Sequence, residues 1–110
     1  MRNLFVAAAL SLPLAAGALA FGALPAEAAG HNVVIKGHKF LPARLNVAAG
    51  DTITFVNEDN APHTATANDG AFDTGRMSSG QSATVKVRAA GAHPYICKLH
   101  PSMKGTVAVE

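Results

Sequence analysis

One short stretch near the end of the chain carries three side chains of the kind that bind soft metal ions. Cys97, His100 and Met103 follow one another at intervals of three residues in the run Cys-Lys-Leu-His-Pro-Ser-Met. This spacing lets a tight loop direct a thiol, an imidazole and a thioether toward one point. His63, which follows the polar stretch 58–62, can supply a second imidazole from elsewhere in the chain.

These donor types indicate copper. Two imidazoles, one thiolate and a thioether match the trigonal His₂Cys arrangement with a weak axial Met that holds copper in both oxidation states. The thioether argues against structural zinc, which is held by closed sets of Cys and His. A lone Cys, His or Met is more often a packing or surface residue, so the prediction depends on the combination. We predict one copper ion bound by His63, Cys97, His100 and Met103.

The elements that must position these donors are short strands. From Asn32 onward, apolar residues recur with period two, and Gly, Asn, Asp or Pro interrupt the pattern every several residues. This pattern is typical of strands joined by turns. The strands are expected at 33–36, 44–48, 52–57, 63–67, 83–87, 95–97 and 106–109. About seven to eight short strands in one small domain predict an all-β, Greek-key β-sandwich.

The first 28 residues have the layout of a secretory signal peptide. Arg2 precedes an apolar run over 4–24, and Ala26-Glu27-Ala28 fits an Ala-x-Ala cleavage site. An uncleaved membrane anchor is the alternative, because about 20 apolar residues can span a bilayer. Pro and Gly residues interrupt the run, which favours cleavage. We therefore expect a signal peptide at 1–28, one domain at 29–110, and a periplasmic location.

Charge and cysteine content exclude some partners. The net charge is +2 at neutral pH and no basic cluster is present, so nucleic acid is not expected as a partner. Cys97 is the single cysteine, so it cannot form a disulfide within the chain. Small exported domains often rely on disulfides for stability, and a bound metal ion can serve instead.

From about Val33 to Glu110 the chain resembles the plastocyanin and amicyanin group of cupredoxins, which are type 1 blue copper proteins. Its Cys-x-x-His-x-x-Met loop is similar to that of amicyanin in its short spacing. The other matching motifs are Phe40-x-Pro42, Gly50-Asp51, Asn57-x-Asp59, Phe72-x-Thr74-Gly75 and Met103-x-Gly105. The resemblance implies copper ligation by His63, Cys97, His100 and Met103, and a role as a one-electron carrier.

That role implies transient docking of redox partner proteins near His100, whose imidazole edge would be the electron's exit. Ala61, Pro62, Pro101 and Met103 are expected to form a small apolar rim around it. We expect the domain to be a monomer, with no stable membrane association once the signal peptide is removed.

Two residues depart from the group's pattern. Thr64 follows the ligand His where the group commonly has Asn, whose side chain and backbone tie the two ligand loops together. His93 stands where the group has a Tyr; strand parity predicts that it points inward and has a structural role. His31 and His38 are expected to have no functional role, and Met77 is expected in a surface loop.

Two other functions compete with electron transfer. A periplasmic copper carrier or buffer would use the same donors to exchange metal, but such proteins use open Met-rich or His-rich motifs, and this chain has three Met residues including the initiator. Copper oxidases and nitrite reductases have a His beside the Cys, whereas Cys97 is flanked by Ile96 and Lys98. A Cys–His hydrolase would need a substrate cleft, for which so small a domain leaves little room. We do not expect an enzyme.

Overall fold

Alternating apolar residues form the strands of two facing sheets. The computed structural model describes residues 27–110; residues 1–26, which hold most of the predicted signal peptide, lie outside the described residues. Within these residues the structure has eight strands: β1 (Gly30–Ile35), β2 (Phe40–Leu41), β3 (Arg44–Val47), β4 (Thr52–Asn57), β5 (Thr66–Ala67), β6 (Ser82–Lys86), β7 (Gly91–Ile96) and β8 (Lys104–Val109).

The strands make two mixed sheets of four. One sheet has the order β2-β1-β4-β6, and the other has the order β3-β8-β7-β5. β1 runs parallel to β4 and β3 runs parallel to β8, while the remaining neighbours are antiparallel. The predicted all-β sandwich is confirmed, and the part of the chain from 27 onward contains no helix, so none there could cross a membrane.

The period-two pattern decides which side chains face the interior. In β4, Ile53, Phe55 and Asn57 are buried while their neighbours are partly exposed. In β7, His93 and Tyr95 point inward, which confirms the orientation expected for His93. The run 63–67 is largely not a strand, since only Thr66–Ala67 pairs with β7. The backbone of His63 instead exchanges two hydrogen bonds with that of Met77.

Four aromatic rings fill the space between the sheets. Tyr95 packs against Phe40, Phe55 and Phe72 with ring centroids 4.6, 5.6 and 5.5 Å away. Edge-to-face contacts of this kind stabilise beyond the burial of apolar area alone. The cluster joins β2, β4 and β7 to the loop that contains Phe72, so it connects both sheets.

Gly105 on β8 lies opposite Tyr95, and the pair leaves no room for a side chain. A Cβ built on Gly105 would clash with the Tyr95 ring at Cζ. The tyrosine ring thus occupies the place of a side chain on the neighbouring strand. Within the described residues, the Tyr95 hydroxyl has no hydrogen-bond partner, and burial raises its pKa above the usual value.

His93 joins β7 to the turn at Asp69. Its Nδ1 lies 2.6 Å from the Asp69 carboxylate and its Nε2 lies 2.7 Å from the Ala89 carbonyl oxygen. A carbonyl oxygen and a carboxylate both accept hydrogen bonds, so the protonated ring satisfies both contacts by donating from each nitrogen. The Ala89 carbonyl and the Asp69 carboxylate raise the pKa of His93 above 6.5, against a smaller opposing effect of burial.

We predict that Gly105→Ala lowers the free energy of unfolding by about 1–3 kcal/mol or more, because the new methyl group overpacks against Tyr95. Gly30→Ala is the matched control, since its Cβ would meet the Thr52 hydroxyl at an ordinary 3.6 Å. Denaturant unfolding of the metal-free proteins measures both changes. Equal stability of the two variants would show that the contact with Tyr95 is unimportant.

The His93–Asp69 pair predicts a pH-dependent stability. Because the folded-state pKa of His93 is raised, its stabilising effect is complete below about pH 6.5 and is lost as the pH rises through the folded pKa. Asp69→Asn removes the charge while its side-chain oxygen can still accept from the Ala71 amide. We expect the stability difference between wild type and Asp69→Asn to be largest near pH 6 and to shrink at higher pH. A difference that does not vary with pH in unfolding curves would contradict the assignment.

Candidate metal centre

The loop 97–103 folds back on itself, which brings its two ends together. The Cys97 carbonyl accepts from the His100 amide, and the His100 carbonyl accepts from the Met103 amide at 2.9 Å. The Cys97 amide donates to the Met103 carbonyl at 3.2 Å, which closes the loop. Cys97 and Met103 are buried, and His100 is partly exposed. The interval of three residues therefore produces the compact loop that the sequence predicts.

The second imidazole comes from the segment after β4, and Asn57 fixes the path of that segment. The Asn57 side chain is fully buried and donates to the carbonyls of Ala61 and Met77 at 2.8 and 3.0 Å. Two backbone hydrogen bonds then hold His63 against Met77. Met77 is 2% exposed, so the prediction that it lies in a surface loop was wrong. The local sequence of polar residues gave no sign of this pairing.

The Cys97 thiol and two imidazoles meet at one buried point. Sγ of Cys97 lies 3.7 Å from Nδ1 of His63 and 3.8 Å from Nδ1 of His100. Donor atoms at this separation are close enough to bind one metal ion. The donor types match the His₂Cys set that copper prefers.

Asp59 fixes the tautomer of His63. The Asp59 carboxylate accepts from Nε2 of His63 at 2.9 Å and from the backbone amides of Gly37 and His38. Burial opposes the ionised form of Asp59, but these three donors outweigh it and lower the pKa below 3.8. With the proton on Nε2, the lone pair of Nδ1 faces Cys97. A carboxylate behind a metal-binding imidazole commonly fixes a ligand in this way.

Thr64 ties the two donor segments together. Its backbone amide donates to Sγ of Cys97 at 3.3 Å, and its hydroxyl oxygen accepts from the Lys98 amide at 2.9 Å. The Thr66 hydroxyl donates to the Asp73 carboxylate at 2.9 Å, so its oxygen is free to accept from the Thr64 hydroxyl 3.0 Å away. Each hydroxyl in this chain of hydrogen bonds therefore accepts from the group before it and donates to the next, from the Lys98 amide through Thr64 and Thr66 to Asp73. Thr64 provides the cross-link that the cupredoxin group commonly obtains from Asn.

His100 lies at the protein surface, beside the exposed side chain of Leu99 and the exposed Pro101. Desolvation, with smaller effects of His38 and His63, lowers the pKa of His100 below 6.5. The ring is therefore neutral near pH 7 and its lone pair is available to a metal. Met103 is only 3% exposed, so the prediction that it forms part of an exposed apolar rim was wrong. The loop hydrogen bonds turn it inward.

Sequence reasoning missed a third imidazole at this site. His38, in the turn between β1 and β2, lies against both other rings, with centroids 4.9 Å from His63 and 4.8 Å from His100. It was expected to have no functional role. Asp59 was noted only as part of a motif, although it contacts both His63 and the His38 turn. No local pattern around residue 38 indicates this proximity, which depends on how the turn packs on the loop after β4.

We predict that Thr64→Val lowers the free energy of unfolding by about 0.5–1.5 kcal/mol, because the part-buried hydrogen bond from the Lys98 amide loses its acceptor. Thr84→Val is the matched control, since it breaks an exposed Thr54–Thr84 hydroxyl pair that water can replace; its effect should stay within about 0.5 kcal/mol. Denaturant unfolding of the metal-free proteins measures both. Equal effects would mean that the cross-link does not hold the loops together.

Comparisons with known proteins find one family. A family model described as a cupredoxin-like domain matches residues 4–109. Amicyanin-alpha of Methylorubrum extorquens is 37% identical over 119 residues, spanning 100% of both chains. An oxidised amicyanin variant matches with a TM-score of 0.67 and 30% identity, over 72% of this chain and 80% of that one. A copper-containing nitrite reductase from Thermus scotoductus matches with a TM-score of 0.68 and 30% identity, over 74% of this chain and 22% of that one.

Proposed function

The chain belongs to the cupredoxin family, and from this premise we propose that it carries single electrons between redox partner proteins. Its amicyanin relatives are cupredoxin electron carriers that bind one type 1 copper ion. In the proposal, His63, Cys97 and His100 are the equatorial ligands of one copper ion and Met103 is the weak axial ligand.

The observation that carries the proposal is the convergence of Sγ of Cys97 with Nδ1 of His63 and Nδ1 of His100, at 3.7 and 3.8 Å. Copper, when bound, supplies a centre that alternates between Cu(I) and Cu(II). The thiolate of Cys97 compensates its charge, and the Thr64 amide donates to that sulfur. A donor set that is already assembled needs little movement when an electron arrives, which favours rapid transfer.

His100 is the proposed exit for the electron, because it is the donor that reaches the surface. His63 and Cys97 are fully buried, whereas His100 is partly exposed beside Leu99 and Pro101. Ala61 and Pro62 are also partly exposed, so the proposed apolar rim consists of Ala61, Pro62, Leu99 and Pro101, without Met103. A small apolar patch suits partners that must dock and leave quickly. We propose that the partner binds here, in the periplasm, to the monomeric domain 29–110 released from a signal peptide at 1–28.

Metal exchange and enzymatic catalysis are less well supported. A copper carrier or buffer must release its ion readily, yet three of the four proposed ligands are at most 3% exposed. The nitrite reductase resemblance covers only 22% of that protein. The match leaves the rest of that enzyme without a counterpart in the aligned region, so its activity cannot be inferred for this chain. We propose that this chain is not an enzyme.

We predict that the metal-free protein becomes intensely blue when Cu(II) is added, and that purified His100→Ala does not until imidazole is supplied to fill the vacated position. His31→Ala is the matched control, because His31 contacts Asp51 instead of the donor cluster, and it should become blue like wild type. Visible absorption and electron paramagnetic resonance measure the result. A His100→Ala protein that is fully blue without imidazole would refute the assignment.

A further inference from the structure

Three imidazoles from three separate segments meet at the surface side of the donor cluster. His38 lies in the β1–β2 turn, His63 follows β4, and His100 lies in the loop after β7. One ring nitrogen from each lies within 4.8 Å of the other two. The three rings contact one another edge to face, with centroids 4.8 to 4.9 Å apart. The axial-thioether set described above uses only two of these rings.

The position of His38 is fixed by the same carboxylate that orients His63. Asp59 accepts from the Gly37 and His38 amides at 2.7 and 2.9 Å and from Nε2 of His63 at 2.9 Å. His38 has a φ of 56°, a left-handed conformation in which His is more common than most other residues. Asp59 therefore holds two imidazole-bearing segments side by side, and its negative charge lies where it would favour a cation.

His38 differs from the other two histidines in its access to solvent. Its side chain is 53% exposed, whereas that of His63 is fully buried. It also lines an open groove of about 280 Å³ that Leu41 and Ser102 border on its other sides. An ion arriving from solvent can reach His38 and the partly exposed His100 before it reaches the buried sulfur of Cys97.

We propose that His38, His63 and His100 form a second metal-binding arrangement, a three-imidazole site for divalent first-row cations such as Zn²⁺ and Cu²⁺, which captures an incoming ion before Cys97 binds it. Three imidazoles are a known ligand set for zinc, and imidazole also suits copper and nickel. Nitrogens around a tetrahedral zinc lie about 3.3 Å apart. The nitrogens lie within 4.8 Å of one another, so binding requires them to move closer together, and His38, whose side chain is 53% exposed, has the most room to move.

The site itself is tested without the thiolate. Zn²⁺ is titrated into metal-free Cys97→Ser and into Cys97→Ser/His38→Asn by calorimetry, because Asn tolerates the left-handed backbone at residue 38. We expect the second variant to bind Zn²⁺ at least tenfold more weakly, since loss of even an outer-shell partner weakens metal binding by about 10–100-fold. Cys97→Ser/His31→Asn is the matched control and should bind as Cys97→Ser does. Nitrogen NMR shifts of the His38 ring should report direct contact with the ion.

Several results would overturn the site. Absence of Zn²⁺ binding to Cys97→Ser, equal affinity of the variants with and without His38, or an unchanged His38 ring signal would each do so. If Cys97→Ser does not fold, the same titrations are carried out on Cys97→Ala. If neither variant binds Zn²⁺, the three-imidazole site is overturned. None of these readouts requires a blue copper site, so they remain separate from the test of electron transfer.

The capture step rests on the proposed copper function and has its own test. Stopped-flow absorption follows the appearance of the blue colour when Cu(II) is mixed with metal-free wild type, His38→Asn and His31→Asn. We expect slower uptake in His38→Asn and a wild-type rate in His31→Asn. Uptake by His38→Asn at the wild-type rate would overturn capture by His38. A wild-type protein that never becomes blue would instead overturn the proposed function, while leaving the zinc result intact.

Discussion

The structure depends on a buried sulfur atom placed where two segments far apart in the chain meet. Sγ of Cys97 lies within 3.8 Å of two imidazole nitrogens and accepts a hydrogen bond from the Thr64 amide. A thiolate buried without a partner would be strongly disfavoured. In the proposed copper site, the cation and the Thr64 amide would together provide this compensation, which accounts for a preference for a soft metal ion and for the need for rigid surroundings.

That surround is built in layers from the sandwich outward. The aromatic cluster around Tyr95 and the close approach of Gly105 fix β7 and β8, from which the loop 97–103 emerges. Outside it, Asn57 and Asp59 hold the segment that bears His63. The chain of hydroxyls from Thr64 to Asp73 then joins the two loops. Each layer restricts the donors further, which is how a small domain without a disulfide can keep a metal site assembled.

Asp59 brings a third imidazole to the proposed copper site. By binding His63 and the amide of His38, it places a solvent-accessible imidazole beside two donors of the proposed copper set. A ligand set rich in sulfur suits electron transfer, whereas a set of three imidazoles suits the initial binding of a divalent ion. The two proposed sets share His63 and His100, so an ion held by the three imidazoles would reach the copper set by exchanging His38 for Cys97.

The sequence by itself determined the strands of the sandwich and three of the candidate donors, because both are encoded locally, whereas His63 was predicted from its donor type alone. Period-two alternation marks strands such as β4 whatever their partners, and a three-residue spacing brings Cys97, His100 and Met103 into one loop through short-range hydrogen bonds. Only the tertiary structure determined which residues pack around these donors. Met77 is buried because it pairs with His63, Thr64 acts through Thr66 and Asp73, and His38 reaches the site because its turn packs on Asp59. Those contacts join residues whose separation in the chain carries no periodic signal, so they arise only when the sheets pack and the loops are brought together.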